Sequence, residues 1–115
     1  MGLVLWIDKN EFSTKLIEKV FKQKSLPFYG LSSVENFDYL VEDLKPQVII
    51  LDAQTALEGI EAFQRQYEKF KTVPFILIGS APELGFISHK IGELKKPLDP
   101  FKVHGQLQHF LGELS

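Results

Sequence analysis

Two uninterrupted apolar runs along the chain each end at an aspartate. Residues 2–7 precede Asp8, and residues 48–51 precede Asp52. Continuous apolar runs without polar alternation are typical of strands that are buried on both faces, as in a parallel sheet covered by helices. Ligands of open parallel sheets collect beyond the carboxyl ends of the strands. Asp52 and Asp8 are therefore the first candidate functional residues.

Helical and strand patterns alternate along the rest of the chain. Apolar residues at helical spacing predict helices over residues 11–24, 33–44, 57–70 and 100–114. Shorter apolar runs predict strands over residues 26–31, 73–78 and 91–94. Leu114 lies on the predicted inner face of the last helix. Pro82 and Gly85 interrupt residues 81–90, so we expect at most one short helical turn there.

Three of the predicted helices begin at recognisable capping residues. Asn10 can cap the first, and Asp99 can cap the last because Pro100 then occupies the first helical position. Ser32 and Glu35 have the spacing of a capping box at the start of the second helix.

The alternation of strands and helices predicts an α/β fold with a parallel sheet and helices on both faces. Right-handed crossovers bring the ends of the first, third, fourth and fifth strands to one edge. The residues expected at that edge are Asp8, Lys9, Asp52, Gly79, Ser80 and Lys96.

Composition narrows the class of protein. The 115 residues are enough for one domain, residues 1–115, and a 44% apolar content with ten Phe predicts an aromatic-rich core. The thirteen basic and fifteen acidic residues are dispersed, so we expect no direct nucleic-acid contact. The sequence has no Cys and no apolar run long enough to span a membrane. The first predicted strand begins so early that it leaves no room for a signal peptide. We therefore expect a cytoplasmic protein without membrane contact.

The residues at the sheet edge resemble those of receiver domains of two-component response regulators. Four segments match the family landmarks in their order and approximate spacing: residues 4–8, residues 46–52, residues 74–80 and Lys96-Pro97. The resemblance implies a flavodoxin-like, doubly wound five-stranded sheet of order 2-1-3-4-5. It also implies a phosphoacceptor at Asp52, a Lys96 that pairs with the phosphoryl group, and Mg²⁺ held by carboxylates such as Asp8 and Asp52.

Several positions depart from that family pattern. Lys9 stands where a second acid is usual, and Gly79 stands where Thr or Ser is usual, with Ser80 one residue later. Thr55-Ala56 replaces the usual Met-Pro, and the segment before Lys96 is short, which predicts a short or absent fourth helix. The chain is therefore identified as a degenerate, pseudo-receiver member.

The substitution at Lys9 changes the expected charge of the site. The formal charges of four residues sum to zero here: Asp8, Asp52, Lys9 and Lys96. The usual family set of three acids and one lysine instead leaves an excess negative charge that attracts Mg²⁺, an ion that prefers several oxygen ligands. We hypothesise a standing ion pair between Lys9 or Lys96 and Asp52 or Asp8. No cofactor is then required, and any Mg²⁺ binding is expected to be weak.

Other interpretations of these residues stay open at this stage. Asp52 could be only a helix cap or loop residue, and Lys9 could be a solvated side chain turned outward, in which case weak metal binding would survive. Ser80 could serve as the switch hydroxyl in place of Gly79.

Three functions are compatible with the sequence to different degrees. The first is a non-enzymatic module that regulates an output domain or protein partner, with Leu84, Phe86 and Ile87 as an exposed apolar cluster for a partner or homodimer. The second is a working Mg²⁺-dependent phosphoacceptor that a histidine kinase phosphorylates on Asp52. The third, an enzyme, lacks a phosphate-binding glycine loop, a Cys nucleophile and a hydrolase Asp-x-Asp pattern.

Overall fold

The sheet is built from five parallel strands in the spatial order β2-β1-β3-β4-β5, as the resemblance implies. The computed structural model describes residues 2–111, so the predicted inner-face residue Leu114 lies outside the described residues. In chain order the strands are β1 Val4–Ile7, β2 Phe28–Leu31, β3 Val48–Asp52, β4 Phe75–Ile78 and β5 Lys90–Leu94. The edge position predicted for the second strand is confirmed.

The helices follow the strands, with one more break than the sequence indicates. They are α1 Glu11–Gln23, α2 Phe37–Leu44, α3 Ala53–Glu58, α4 Ile60–Tyr67 and α5 Pro100–Leu111, and a 3₁₀ turn covers Pro82–Leu84. The single helix predicted over residues 57–70 is therefore wrong in its bounds, because α3 begins directly after β3 and ends at Glu58, and α4 begins after Gly59. The short turn predicted within residues 81–90 is confirmed.

Alternate residues of the central strands enter two separate apolar layers. Leu5 and Ile7 pack with the side chains of α2, α3 and α4. Val4 and Trp6 pack on the opposite face with α1 and α5. This arrangement explains the uninterrupted apolar runs, since both faces of β1 and β3 are covered. Trp6 is fully buried in this second layer.

The aromatic-rich core is also confirmed, mainly on one face of the sheet. Phe63 lies at its centre, with ring centroids 5.5 Å from Phe37, 5.9 Å from Tyr67 and 6.0 Å from Phe75. Ring pairs at these separations add to the free energy gained by burying their surface.

The predicted caps are confirmed at α1 and α5 and wrong at α2. Asn10 Oδ1 accepts the Ser13 N–H over 3.1 Å, and Asp99 Oδ1 accepts the Phe101 N–H over 2.9 Å. The second helix starts at Phe37 rather than after Ser32.

A distant side chain organises the start of α2. Gln66 on α4 accepts the Asp38 N–H over 3.0 Å and donates to the Val34 carbonyl over 3.1 Å. Val34 is buried against the core. The long-range bonds of Gln66 replace the local capping box that Ser32 and Glu35 would have formed.

Among residues 2–111, no helix combines the length and the apolar character that crossing a membrane requires.

Candidate functional site

Three strand ends bring the main candidate residues together at one edge of the sheet. Asp8 follows β1, Asp52 is the last residue of β3, and Lys96 follows β5 by two residues. Ile7 of β1 pairs with Leu51 of β3, so the next residues, Asp8 and Asp52, lie at the same height along the sheet. The Lys96–Asp52 contact and the paired ends of β1 and β3 bring the two aspartates and Lys96 to one edge of the sheet.

The two oxygens of the Asp52 carboxylate have different partners, an ion pair at Oδ1 and hydrogen bonds at Oδ2. Lys96 Nζ lies 2.8 Å from Oδ1, while Oδ2 accepts the Thr55 N–H over 3.0 Å and the Thr55 hydroxyl over 2.7 Å. The residue is 1% exposed. Asp52 is therefore both the N-cap of α3 and the ion-pair partner of Lys96.

Thr55 is the site residue that sequence reasoning missed. Its hydroxyl donates to Asp52 and also accepts the Lys9 N–H over 2.9 Å, which links the loop after β1 to the start of α3. The sequence carried a signal for this role, because Asp and Thr at three-residue spacing fit an N-cap and the third helical position. That signal was overlooked because the helix was predicted to begin later, near Leu57.

The Lys9 side chain does not join the aspartates. Its ammonium lies 3.0 Å from Glu58 Oε1 at the end of α3, and both side chains are about half exposed, at 50% and 52%. The part of the ion-pair hypothesis that placed Lys9 on Asp52 or Asp8 is wrong, and the outward orientation is confirmed.

The charge balance changes accordingly. Because Glu58 neutralises Lys9 outside the site, the groups that remain at the strand ends are Asp8, Asp52 and Lys96. Their formal sum is −1 rather than the zero expected from the sequence.

Asp8 is held in a fixed and desolvated position. It is 3% exposed, and its Oδ1 accepts the Asn10 N–H over 2.9 Å. Burial raises the pKa of the Asp8 carboxyl and Asp52 adds to the rise, while the Asn10 bond and the two lysines oppose it. The hydrogen bond to Asp52 raises the pKa of Lys96, so that lysine keeps its charge.

The position of the usual switch hydroxyl has a backbone that suits glycine. Gly79 follows β4 with φ of 78°, in the left-handed region that residues with a Cβ adopt at a cost. Its N–H donates to the Leu94 carbonyl over 2.8 Å, which fixes it beside β5. Ser80 is exposed.

The predicted exposed apolar cluster is wrong. Leu84 and Ile87 are 3% and 6% exposed, and Phe86 is partly buried. The Phe86 ring lies 5.5 Å from Phe63 and 5.4 Å from Tyr67, measured between centroids. These three residues close the aromatic layer in place of a longer fourth crossover helix, so Leu84 and Ile87 are not available as an exposed patch.

The donor set at the strand ends fits Mg²⁺ poorly. Mg²⁺ requires near-octahedral coordination by oxygen, and carboxylates usually supply some of these ligands. Asp52 Oδ1 faces an ammonium and Oδ2 already accepts two hydrogen bonds, so only Asp8 is placed to offer a carboxylate oxygen. Within residues 2–111, no group of three or more His, Cys, Asp or Glu side chains could hold a metal ion.

Comparison with solved structures supports the receiver-domain resemblance. A CheY-like response regulator receiver domain from Methanospirillum hungatei JF-1 superposes with a TM-score of 0.77 at 12% identity, covering 97% of this chain and 94% of that one. The chain has the receiver-domain fold. An orphan response regulator of H. pylori gives 0.73 at 20% identity, covering 96% of both chains. The pseudo-receiver domain of the CikA protein gives 0.64 at 16% identity, covering 96% and 98%. No protein-family model and no curated protein matches the sequence.

Proposed function

We propose that the chain is a receiver-type signalling module that acts through protein contacts without being phosphorylated. The observation that carries this proposal is the state of Asp52, which is 1% exposed, caps α3 with one oxygen and pairs with Lys96 through the other. A carboxylate attacks phosphorus through a free lone pair on an accessible oxygen. Asp52 would have to break internal contacts before it could react.

The backbone at Gly79 supports the same proposal. A phosphorylation switch of the family type would need a side-chain hydroxyl near the new phosphoryl group, and glycine has none. Thr or Ser at a φ of 78° would be strained, so the local backbone does not suit the missing hydroxyl. Ser80 is exposed and has no described hydrogen bond to Asp52.

Weak affinity for Mg²⁺ is part of the proposal. Phosphoryl transfer depends on a cation that neutralises charge as the phosphoryl group moves. Lys96 already neutralises Asp52, and Lys9, which pairs with Glu58, supplies no carboxylate in place of a second acid, so Asp8 is the main acid left to attract a divalent ion.

The alternative is a working phosphoacceptor that a histidine kinase phosphorylates on Asp52. Two observations favour it: Asp8, Asp52 and Lys96 do converge, and Lys9 is turned toward Glu58, which leaves a local charge of −1. A pocket of about 450 Å³ beside Asp8 and Lys96 gives solvent a route to this edge.

Partners follow from the same reasoning. The apolar cluster that suggested a homodimer is buried, so we propose a different protein or a linked output domain as the partner, in the cytoplasm. Solved structures with the same fold include an orphan response regulator and a pseudo-receiver domain.

Intact-mass spectrometry with acetyl phosphate and Mg²⁺ tests the proposal. In the reaction an Asp52 oxygen would bond to phosphorus, the bond from phosphorus to the acetate oxygen would break, and acetate would leave with the electron pair. We expect no phosphoryl adduct on the native chain beyond the level of the Asp52→Asn control. An adduct that requires Asp52 and Mg²⁺ would establish the alternative.

A further inference from the structure

The Thr55 hydroxyl has a fixed direction within the site. It accepts the Lys9 N–H over 2.9 Å, so the side of the oxygen that carries its lone pairs is turned to the β1–α1 loop. Its own hydrogen is then directed to Asp52 Oδ2, 2.7 Å away. Hydroxyl hydrogens usually rotate to suit their surroundings, but here a donor on one side sets the donor direction on the other.

The Thr55 side chain has little freedom to leave this position. It is 3% exposed, and a β-branched side chain in a helix has few accessible rotamers. The residue occupies the first turn of α3, where its own N–H also donates to Asp52 Oδ2 over 3.0 Å. One residue therefore holds the same carboxylate oxygen with two hydrogen bonds.

Capping alone does not require the hydroxyl. An N-cap carboxylate needs only a backbone N–H of the first turn, which Thr55 supplies whatever its side chain. The hydroxyl adds a short bond to a charged acceptor, and such bonds are stronger than neutral ones. Its effect is to oppose rotation of the carboxylate away from the helix.

We propose that Thr55 is the positioning residue that keeps Asp52 engaged as a helix cap and thereby prevents it from accepting a phosphoryl group. This inference rests on the proposed function. Removing the hydroxyl leaves Oδ2 with one donor and leaves the Lys9 N–H without its acceptor, so both Asp52 and the β1–α1 loop gain freedom.

The test compares Thr55→Val, which nearly preserves the shape of the side chain, with Thr55→Ser, which keeps the hydroxyl. Each is treated with acetyl phosphate and Mg²⁺, and the rate of adduct formation is followed by intact mass. We expect an adduct on Thr55→Val at a rate at least about tenfold above the background shared by Asp52→Asn, Thr55→Ser and the native chain, since one charge-assisted hydrogen bond is removed. Gln54→Ala, an exposed neighbour in α3, should behave like the native chain.

A second measurement applies if Thr55→Val does not fold. Thr55→Ala lacks the same hydroxyl, and hydrogen exchange at the Lys9 amide reports directly on the lost bond. Exchange should be faster in the folded variants without the hydroxyl and unchanged in Thr55→Ser.

The outcomes separate this inference from the proposed function. Rapid phosphorylation of the native chain would refute the proposed function, and a still faster Thr55→Val would support the role of Thr55 even then. A folded Thr55→Val or Thr55→Ala that is as unreactive as the native chain would overturn the inference alone. Equal reactivity of Thr55→Ser and Thr55→Val would overturn it as well.

Discussion

Asp8 is a buried acid whose ionisation opposes folding. Burial, reinforced by Asp52, raises its pKa above the usual 3.8. A carboxyl with a raised folded-state pKa contributes stability below the unfolded-state pKa, and that contribution is lost as the pH rises through the folded-state pKa. At neutral pH the charged Asp8 is therefore a destabilising feature that the proposed site retains.

We expect Asp8→Asn to be more stable than the native chain at neutral pH. Asparagine keeps an oxygen that can accept the Asn10 N–H, and it does not ionise. The gain should shrink as the pH is lowered through the raised pKa of the native Asp8 carboxyl, because Asp8 then becomes protonated. Urea unfolding at several pH values measures the difference.

The exposed Asp43 provides the matched control for this prediction. Asp43→Asn should change the free energy of unfolding by less than about 0.5 kcal/mol across the same pH range. A stability gain of Asp8→Asn that stayed constant down to acid pH would contradict the assignment of the effect to Asp8 ionisation.

Single residues at the site differ in how far the sequence could place them. Asp8, Asp52 and Lys96 were predictable because the carboxyl ends of parallel strands share an edge. The direction of Lys9 was not, since it depends on Glu58, which lies 49 residues further along the chain. That partner is in reach only because α3 begins directly after β3.

At the scale of an element, the turn after β4 depends on a glycine. Gly79 adopts φ of 78°, and a Cβ placed there would have only ordinary contact, 3.9 Å from the Ala53 Cβ. The cost of a larger residue is therefore conformational rather than steric. We expect Gly79→Ala to lower the free energy of unfolding by about 1–2 kcal/mol, measured by chemical denaturation.

Gly105 in α5 is the opposite case and serves as the control. It lies in the helix, exposed, with nothing within 4 Å of an added Cβ. Gly105→Ala should raise the stability by about 0.5–1 kcal/mol because alanine loses less backbone entropy in a helix. If both substitutions shifted stability in the same direction, the left-handed backbone at Gly79 would not be limiting.

The start of α2 shows why some element boundaries were not predictable. A capping box is a local signal, and Ser32 with Glu35 supplied one. The Gln66 side chain on α4 replaces it by bonding at Val34 and Asp38, and that interaction exists only after α4 has packed on α2. Local capping chemistry predicted α1 and α5 because no distant residue competes with Asn10 or Asp99 there.

Across the whole molecule, the sequence predicted the architecture better than the surfaces. Alternating strands and helices predicted the parallel sheet because each crossover has one favoured hand. The exposure of the residues after β4 depends on the aromatic residues of α4, which the sequence pattern after β4 does not indicate. Leu84, Phe86 and Ile87 pack over Phe63 and Tyr67, so a segment with little helical signal still became core.

The response of the whole domain to Mg²⁺ follows from the charge balance of the site. A ligand that binds only the folded state raises its stability by an amount set by the ratio of ligand concentration to Kd. When the Mg²⁺ concentration equals Kd, the gain in the free energy of unfolding is only about 0.4 kcal/mol. For a domain of this size we therefore expect about 10 mM Mg²⁺, at constant ionic strength, to raise Tm by less than about 2–3 °C.

Lys9→Asp is the variant that separates charge from fold. It replaces the ammonium that pairs with Glu58 by an acid at the position after Asp8. The formal charge of the chain beside the strand ends becomes more negative, which should strengthen the attraction for Mg²⁺. Its Tm should rise with Mg²⁺ by more than that of the native chain, and adding Asp8→Asn should remove the extra rise. A native chain that responds as strongly as Lys9→Asp would show that Asp8 and Asp52 bind the ion despite Lys96. The working phosphoacceptor would then be the better account of the site.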